Sequence, residues 1–405
     1  MISGTATRAE GLRLVEVFTP RMGKRYASGR NYDRGPGRHS NVSCLSPFIR
    51  RRLITEKEVT AAALADHGLE GAEKFIQEVF WRGYFKGWLE RRPQVWADYV
   101  SGLSQDLIEL DIDRSLRKRI EAAENGITGL ECFDAWVSEL VETGYLHNHA
   151  RMWFASIWIF TLELPWRLGA DFFYRHLLDG DPASNTCSWR WVAGLHTRGK
   201  AYEAKAWNIA KFTDQRFTPN DAELSVVPGG LEHQEPDGLP DIMPLRDVVA
   251  PKRGTPTVLL MTEDDCFLED FDLNSLNIIA CASLSTSQLR SHRDVPDLIC
   301  NFEEAALNDC ALRIGMNPVQ MHAGLPSDLA KWAVAKGAKQ VAMPYVPVGP
   351  LSDWIEEARP KLEDEGLALT EFRRDWDALI WPHASAGFFK VKKKLPEILS
   401  TAGLF

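Results

Sequence analysis

Residues 144–191 read GYLHNHARMWFASIWIFTLELPWRLGADFFYRHLLDGDPASNTCSWRW. The stretch places Arg151, Asp179 and Asp181 inside an apolar segment that is rich in tryptophan. Charged side chains are rarely buried in proteins unless they are paired or hold a ligand. The three residues therefore predict either a structural ion pair that joins two helices, or a site for a large, flat cofactor with polar edges.

The composition is that of an ordinary soluble protein. At 405 residues the chain is long enough for two domains, and its contents of 45% hydrophobic and 25% charged residues are typical. The net charge of −9 is uneven, because residues 1–220 carry 30 Lys and Arg against 27 Asp and Glu, whereas residues 221–405 carry 17 against 29. We therefore expect the first half to be the part that meets any polyanion.

The seven cysteines form no CxxC pair and no metal-ligand spacing, which favours reduced thiols in a cytoplasmic protein without a metal. The first ten residues lack an apolar run, so no signal peptide is expected. The run 153–164 is too short to span a bilayer and contains Glu163, so it predicts a buried helix and no membrane partner.

The first half is predicted to be helical. Residues 71–92 are mostly good helix formers, and Glu78, Trp81 and Arg82 share one face of this helix. The other face carries the apolar or small residues Ile76, Val79, Phe80 and Gly83. Further helices are predicted over 132–143 and from His147 to about Leu164. Ten of the 14 tryptophans precede residue 210, so an aromatic-lined pocket is expected here.

The second half alternates between strands and helices. Seven prolines within 218–256 first predict a linker or a wrapping loop. Apolar runs then predict strands at 257–261, 277–282, 297–300, 340–343 and 379–381. Helices are predicted at 301–314, 325–337 and 351–365, with Pro360 as a candidate break. The pattern predicts a mainly parallel, doubly wound, Rossmann-like sheet, although no GxGxxG or GxxxxGK[ST] phosphate loop occurs.

A loop of small polar residues, 41–47, precedes a predicted helix. Free backbone N–H groups at a helix start suit a phosphate or pyrophosphate. The alternative is a plain helix cap, with Ser46 as N-cap and Pro47 at the first helical position. For Asn185 the alternative to a ligand-binding role is a turn former, and for Trp189 and Trp191 it is that of core aromatics.

Taken in order, these motifs resemble the FAD-binding helical domain of the DNA photolyase/cryptochrome family over residues 26–217. Tyr26 and 43–47 resemble the family tyrosine and its TS-x-LSP phosphate loop, with Val42 where threonine is usual. The other resembling motifs are ExxWR at 78–82, TG with a later Asp at 128–134, HN-x-x-RM at 147–152, and DGD to W-x-W at 179–191.

The resemblance implies a bent FAD. Arg151 and Asp179 would pair over its ring system, Asp181 would lie on its sugar side, and Asn185 would lie beside the redox-active ring nitrogen. The cofactor-binding residues that it implies are Tyr26, Val42, Ser43, Cys44, Leu45, Ser46, Arg82, Asn148, Arg151, Asp179, Gly180, Asp181 and Asn185. The antenna chromophore stays unassigned.

The resemblance also implies an electron relay and a lesion site. Trp189 and Trp166 match the first two tryptophans of the family's photoreduction chain. The third has no counterpart near 110–125, and Tyr145 and Trp153 are candidate substitutes. The positions that match contacts to a flipped pyrimidine dimer are Glu78, Trp81, Asn148, Met152 and Trp191. His149 replaces an arginine of many photolyases, which weakens an expected contact with phosphate or lesion.

The family places its α/β domain first, whereas here the alternating segment comes last and its resemblance is looser. We therefore predict a circular permutation, with a helical FAD-binding domain at 1–217, a linker at 218–256 and an α/β domain at 257–405. The predicted function is blue-light repair of pyrimidine dimers, with damaged DNA as partner. The alternatives are a cryptochrome-like photosensor without repair, and a binding module with an empty flavin pocket.

Overall fold

The computed structural model describes residues 5–227 and 229–405, and it divides into two compact units. The first unit comprises 21–44 and 92–242, and the second comprises 5–20, 45–91 and 243–405. The predicted boundaries 1–217, 218–256 and 257–405 are contiguous, whereas these units are not, and the boundaries stay a prediction. Residues 1–4 of the predicted first domain and residue 228 of the predicted linker lie outside the described residues.

The secondary structure is mainly helical. In the described residues the α-helices are α1 (Arg8–Phe18), α2 (Lys24–Gly29), α3 (Ser46–Arg50), α4 (Glu56–Glu90), α5 (Pro93–Ile112), α6 (Arg114–Glu124), α7 (Glu131–Thr143), α8 (Asn148–Ser156), α9 (Trp166–His176), α10 (Pro182–Val192), α11 (Ala206–Phe212), α12 (Asp297–Arg313), α13 (Pro326–Ala335), α14 (Pro350–Asp364), α15 (Asp375–Ile380) and α16 (Phe389–Thr401). The strands are β1 (Pro256–Met261), β2 (Asn277–Ser285), β3 (Val319–His322), β4 (Gln340–Pro344) and β5 (Ala368–Phe372). Within this part of the chain no helix is both long and apolar enough to cross a bilayer.

The second unit contains a five-stranded parallel sheet with the order β3-β2-β1-β4-β5. The chain adds β2 and β3 on one side of β1 and then crosses to add β4 and β5 on the other. Val258 of β1 pairs with Ala280 of β2 and with Val341 of β4. Strands β1 and β4 are almost wholly buried. Helices α13 and α14 cover the sheet through a shared apolar core. The predicted doubly wound α/β fold is confirmed.

Helix α4 also belongs to the second unit. Thr55 and Glu58 form a capping box that begins it fifteen residues before the predicted start, and Gly68 interrupts it with a φ of 64°. The predicted faces are confirmed, because Ile76, Val79, Phe80 and Gly83 are buried while Glu78 is exposed. At Gly87 an added Cβ would lie 2.8 Å from the Cα of Trp381, so only a glycine allows this close approach. At its end, Glu90 accepts hydrogen bonds from Tyr345 Oη (2.5 Å) and the Val348 amide (2.8 Å).

Two predicted strands are wrong. Residues 297–300 form the first turn of α12, which follows Pro296, and 379–381 belong to α15 and a 3₁₀ turn that contains Pro382. The predicted break at Pro360 does not occur either, because α14 continues through it. Strands β3 and β5 were not predicted. The described residues of 218–255 form two 3₁₀ turns and neither strand nor α-helix.

The first unit is built from helices. Helix α7 ends at Gly144, which adopts a φ of 65° and confirms the predicted stop. The predicted helix from His147 to Leu164 is split in the structure: α8 ends at Ser156, and 157–161 continue as a π-helical turn. Glu163 then adopts a φ of 52°, which ends the helical segment before Pro165.

The second unit holds a buried carboxyl whose ionisation opposes folding. Glu303 accepts hydrogen bonds from the Thr286 amide (2.5 Å), the Thr286 hydroxyl (3.0 Å) and the Ser287 hydroxyl. Burial, together with the negative charge of Glu263, raises the pKa of Glu303 from 4.5 to about 7. Between these values the folded chain keeps a proton that the unfolded chain releases, so this contribution to stability is full below pH 4.5 and is lost as the pH rises through 7.

We expect Glu303→Gln to remove this pH dependence, because the amide is neutral at every pH. Relative to the wild type, the variant should gain free energy of unfolding as the pH rises from about 5 to about 8. Urea unfolding across that range measures the difference. Glu304→Gln, at the exposed neighbouring position, is the matched control and should follow the wild type. Parallel curves for wild type and Glu303→Gln would contradict the prediction.

Candidate flavin site

The stretch 144–191 brings two helix starts into the first unit. His147 is the N-cap of α8, and its Nδ1 accepts a hydrogen bond from the His149 amide (3.2 Å). Asp181 is the N-cap of α10, and its carboxylate accepts one from the Ser184 amide (2.8 Å). Backbone N–H groups at such starts favour negative or electron-rich partners. Asp181 therefore has a structural role as a cap, whatever else it binds.

Arg151 and Asp179 form the ion pair that the sequence predicted. The Arg151 Nη2 donates to both oxygens of Asp179 at 3.0 Å, and its Nε donates to the Leu146 carbonyl at 2.8 Å. Asp179 is 5% exposed and Arg151 is 23% exposed, so the pair is shielded on the carboxylate side and open on the other. The Leu178 amide donates to the Gly144 carbonyl (2.8 Å) and fixes the turn that carries Asp179.

The start of α10 offers further polar groups. The Asn185 amide nitrogen donates to the Ala170 carbonyl (2.8 Å), which holds the side chain half-buried on α10. The hydroxyl of Ser184 is buried and has no hydrogen-bond partner in the described part of the chain. A buried, unpaired hydroxyl costs free energy, and a polar ligand at this helix start would remove that cost. These residues therefore fit the polar edge of a flavin.

Three tryptophans of the stretch occupy different environments. Trp189 is buried and lies edge-to-face with Phe173, at 5.1 Å between centroids, and with Trp158, at 6.3 Å. Trp166 is also buried, and within the described residues neither indole nitrogen has a hydrogen-bond partner. Trp191 is partly exposed beside Tyr202. Trp166 and Trp189 are thus buried and Trp191 is partly exposed, and their roles as relay and lesion contact stay a prediction.

Sequence reasoning missed the ring that lies next to Trp166. Tyr99 of α5 is buried with its ring centroid 5.8 Å from that of Trp166, and Trp96 follows at 5.3 Å from Tyr99. The signal was present as an i, i+3 pair of aromatics on one helix face. The predicted substitute Trp153 instead stacks between His149 (4.2 Å) and Trp136 (5.5 Å).

The predicted phosphate loop enters the first unit through Ser43 and Cys44. Cys44 is half-buried, adopts a φ of 51° and hydrogen bonds with Tyr145. Burial raises the pKa of the Cys44 thiol and raises that of Tyr145 well above its usual value, so both stay protonated at neutral pH. Tyr26 is buried on α2, and Val42 is half-buried. The thiol and the phenol therefore add no negative charge that would repel a phosphate at this loop.

The residues of α8 that were predicted to face the lesion lie in different environments. Asn148 is exposed and Met152 is half-buried, so both are accessible. His149 packs between Trp153 and Phe212, and its Nδ1 lies 2.9 Å from the Asn31 carbonyl. Burial lowers the pKa of His149, so the imidazole is neutral at pH 7. It supplies no positive charge where the family often has an arginine.

The other predicted residues lie in the second unit. Leu45 precedes α3 as its N-cap and Ser46 is already helical, so the predicted cap at Ser46 is wrong by one position. On α4, Trp81 is half-buried, and the ring of Phe388 stacks on one of its faces at 4.0 Å. The Arg82 Nη2 is buried without a hydrogen-bond partner among the described residues, so an anionic ligand there would be favourable.

Comparisons with known proteins show which family the stretch 144–191 and its surroundings resemble. The family model for the FAD binding domain of DNA photolyase matches residues 75–220. A deoxyribodipyrimidine photo-lyase of Streptomyces griseus is 36% identical over 157 residues, which are 38% of this chain and 33% of that protein. A cryptochrome DASH of Natronomonas pharaonis is 29% identical over 228 residues, covering 56% and 46% of the two chains. The chain thus spans between about a third and a half of the length of these relatives.

A solved structure is also similar to part of the chain. A bacterial class III photolyase from Agrobacterium tumefaciens is 26% identical and superposes with a TM-score of 0.41, over 51% of this chain and 43% of that one. The family model confirms the predicted FAD domain, while the predicted circular permutation stays a prediction. Residues 75–220 therefore match the FAD-binding domain of the DNA photolyase/cryptochrome family.

Proposed function

We propose that the chain is a blue-light flavoprotein that binds FAD and repairs pyrimidine dimers in DNA. The observation that carries the proposal is the Arg151–Asp179 pair, which is open on the arginine side within the segment that matches the family. The flavin-binding set of the first unit is Tyr26, Val42, Ser43, Cys44, Asn148, Arg151, Asp179, Gly180, Asp181 and Asn185. Leu45, Ser46 and Arg82 of the second unit are proposed as further cofactor contacts.

Bound, reduced FAD would supply an excited-state electron donor. Arg151 would orient the polar edge of the ring system, and Asn185, held by the Ala170 carbonyl, would present its amide to that edge. Buried Trp189 and Trp166 would conduct electrons, with Tyr99 as the next ring in place of the missing third tryptophan. Glu78, Trp81, Asn148, Met152 and Trp191 are proposed as lesion contacts.

Damaged DNA is therefore the proposed partner, and a cytoplasmic location is proposed from seven free cysteines, five of them buried. The circular permutation, with α/β residues 257–405 after the helical segment, is also part of the proposal. A second function, a cryptochrome-like photosensor without repair, is favoured by one observation: neutral, stacked His149 offers no cation to a DNA phosphate.

We expect FAD-loaded protein to repair a dimer-bearing oligonucleotide under blue light and not in the dark. We also expect Trp189→Phe to suppress photoreduction of the flavin while repair by chemically reduced protein persists. Absorbance spectra before and after illumination measure photoreduction of the flavin, and chromatography of the repaired oligonucleotide measures repair. Trp207→Phe, at an exposed tryptophan of the same unit, is the matched control and should behave as the wild type.

The outcomes separate the two functions. One outcome is that the flavin is photoreduced while the protein neither repairs the dimer nor binds damaged duplex in a salt-dependent way. This outcome would exclude the photolyase and favour the photosensor. A preparation without flavin absorbance after incubation with FAD would exclude both.

A further inference from the structure

Three polar side chains of the first unit form a compact cluster that the flavin proposal does not use. Asp33 lies in the loop after α2, His39 follows six residues later, and Glu139 lies on α7. Each offers one ligand atom, and these atoms all lie within 4.8 Å of one another. Because about a hundred residues separate Glu139 from the other two, no short motif announced the cluster.

The cluster is enclosed. Asp33 and Glu139 are 0% and 2% exposed, and the side chain of His39 is 9% exposed. Asp33 is partly neutralised, because its Oδ2 accepts hydrogen bonds from Arg216 Nη2 (2.5 Å) and Trp136 Nε1 (3.0 Å). The other carboxylate, Glu139, contacts His39 through Oε1 and Nε2 at 2.6 Å. A second carboxylate is therefore buried beside an imidazole.

Two atoms of the cluster lack partners. Within the described residues, Glu139 Oε2 and His39 Nδ1 are buried without a hydrogen bond. When neutral His39 donates its Nε2–H to Glu139, its Nδ1 carries a free lone pair. Both unpaired atoms are then acceptors, so neither can satisfy the other. Because Nδ1 and Nε2 lie on different edges of the ring, a cation shared with Glu139 would bind His39 through Nε2, with the ring proton moving to Nδ1, and would bind Glu139 through the unpaired Oε2. A buried carboxylate oxygen without a partner is costly in the absence of such a cation.

We propose that Asp33, His39 and Glu139 bind a divalent transition-metal ion such as Zn²⁺. Imidazole with carboxylates is a ligand set for zinc and its neighbours rather than for Mg²⁺ or Ca²⁺, which take oxygen. Zinc–ligand bonds of about 2.0–2.2 Å in a tetrahedral site place the ligand atoms roughly 3.4 Å apart. Ligand atoms that lie up to 4.8 Å apart would therefore move closer, and the 2.6 Å contact between His39 and Glu139 would open. His147 is left out of the set, because its Nδ1 caps α8.

The ion would tie the loop 33–44 to α7. Three protein ligands leave the fourth position of a tetrahedral ion to a water molecule, and the burial of Asp33 and Glu139 would restrict access to that position. The site is independent of the proposed function, because it needs neither FAD nor DNA.

The test is a zinc titration of the full chain after chelator treatment and dialysis, followed by calorimetry and by elemental analysis of the bound metal. We expect one Zn²⁺ per chain. His39→Ala should weaken zinc binding by about 100-fold and the near-isosteric Glu139→Gln by at least about 10-fold. His233→Ala, at an exposed histidine, should bind zinc as the wild type does.

Circular dichroism of the same samples shows whether each variant is folded, so loss of zinc with a retained helical signal supports the site. Equal zinc affinity in wild type, His39→Ala and Glu139→Gln would assign the metal elsewhere and overturn the proposal. So would an absence of bound zinc in the wild type, which would leave the cluster as a hydrated ion pair.

Discussion

Replacing Arg52 by alanine is expected to lower the free energy of unfolding by about 3–5 kcal/mol. Arg52 is 3% exposed in the second unit, and its Nη2 donates to both oxygens of Asp377, at 2.6 and 2.8 Å. Its Nη1 reaches Asp265 at 3.3 Å and its Nε lies 3.5 Å from Glu56. Truncation leaves Asp377, which is 1% exposed, without this guanidinium. An uncompensated buried charge is among the most destabilising changes available to a protein.

Urea unfolding measures the effect, and Arg13→Ala is its matched control. Arg13 also makes a two-point ion pair, with Glu10, but its side chain is 56% exposed. Water screens that pair, so its loss should lower the free energy of unfolding far less than the loss of Arg52 does. Similar losses for the two variants would mean that water reaches the Arg52 network and that the argument from burial fails.

A strand could be predicted from the sequence only where its burial is visible as a local run of apolar residues. β1 and β4 are buried along their length and show it as apolar runs, so both were predicted. β3 is a mostly exposed edge strand and carries no such run. In β5 the polar Thr370 and Glu371 are buried because distant groups, the Val341 carbonyl and Arg246, pair with them. A local pattern cannot show a partner that is remote in sequence.

The candidate site, like the sheet, could be predicted only in part from the sequence. Arg151 and Asp179 were predicted to pair because they are opposite charges within an apolar segment, the resemblance to the family implied the same pair, and the pair is present. Tyr99, the neighbour of Trp166, comes from a helix 67 residues earlier and was missed. The cluster of Asp33, His39 and Glu139 was invisible for the same reason. Residue identity was readable from the sequence, whereas long-range proximity required the fold.

Replacing Asp179 by asparagine is expected to raise the dissociation constant for FAD by about 10- to 100-fold, or about 1.4–2.8 kcal/mol. The change keeps the size of the side chain but removes the charge that holds Arg151 at 3.0 Å. Losing one partner of a buried charged pair costs about 2–5 kcal/mol in binding, and the 23% exposure of Arg151 reduces this. Equilibrium dialysis or quenching of flavin fluorescence measures the constant.

The control is Asp106→Asn, because Asp106 forms a pair of similar exposure with Arg167 in the same unit. If Arg151 and Asp179 hold the flavin, the two variants should lose comparable stability while only Asp179→Asn loses affinity for FAD. The structural alternative also predicts comparable destabilisation of the two variants, but with unchanged FAD affinity in both. The pair is shielded on the Asp179 side and open on the Arg151 side. A pair that only joins two helices does not need an open side, whereas the open side of a fixed guanidinium is available to a ligand. We therefore expect the first result.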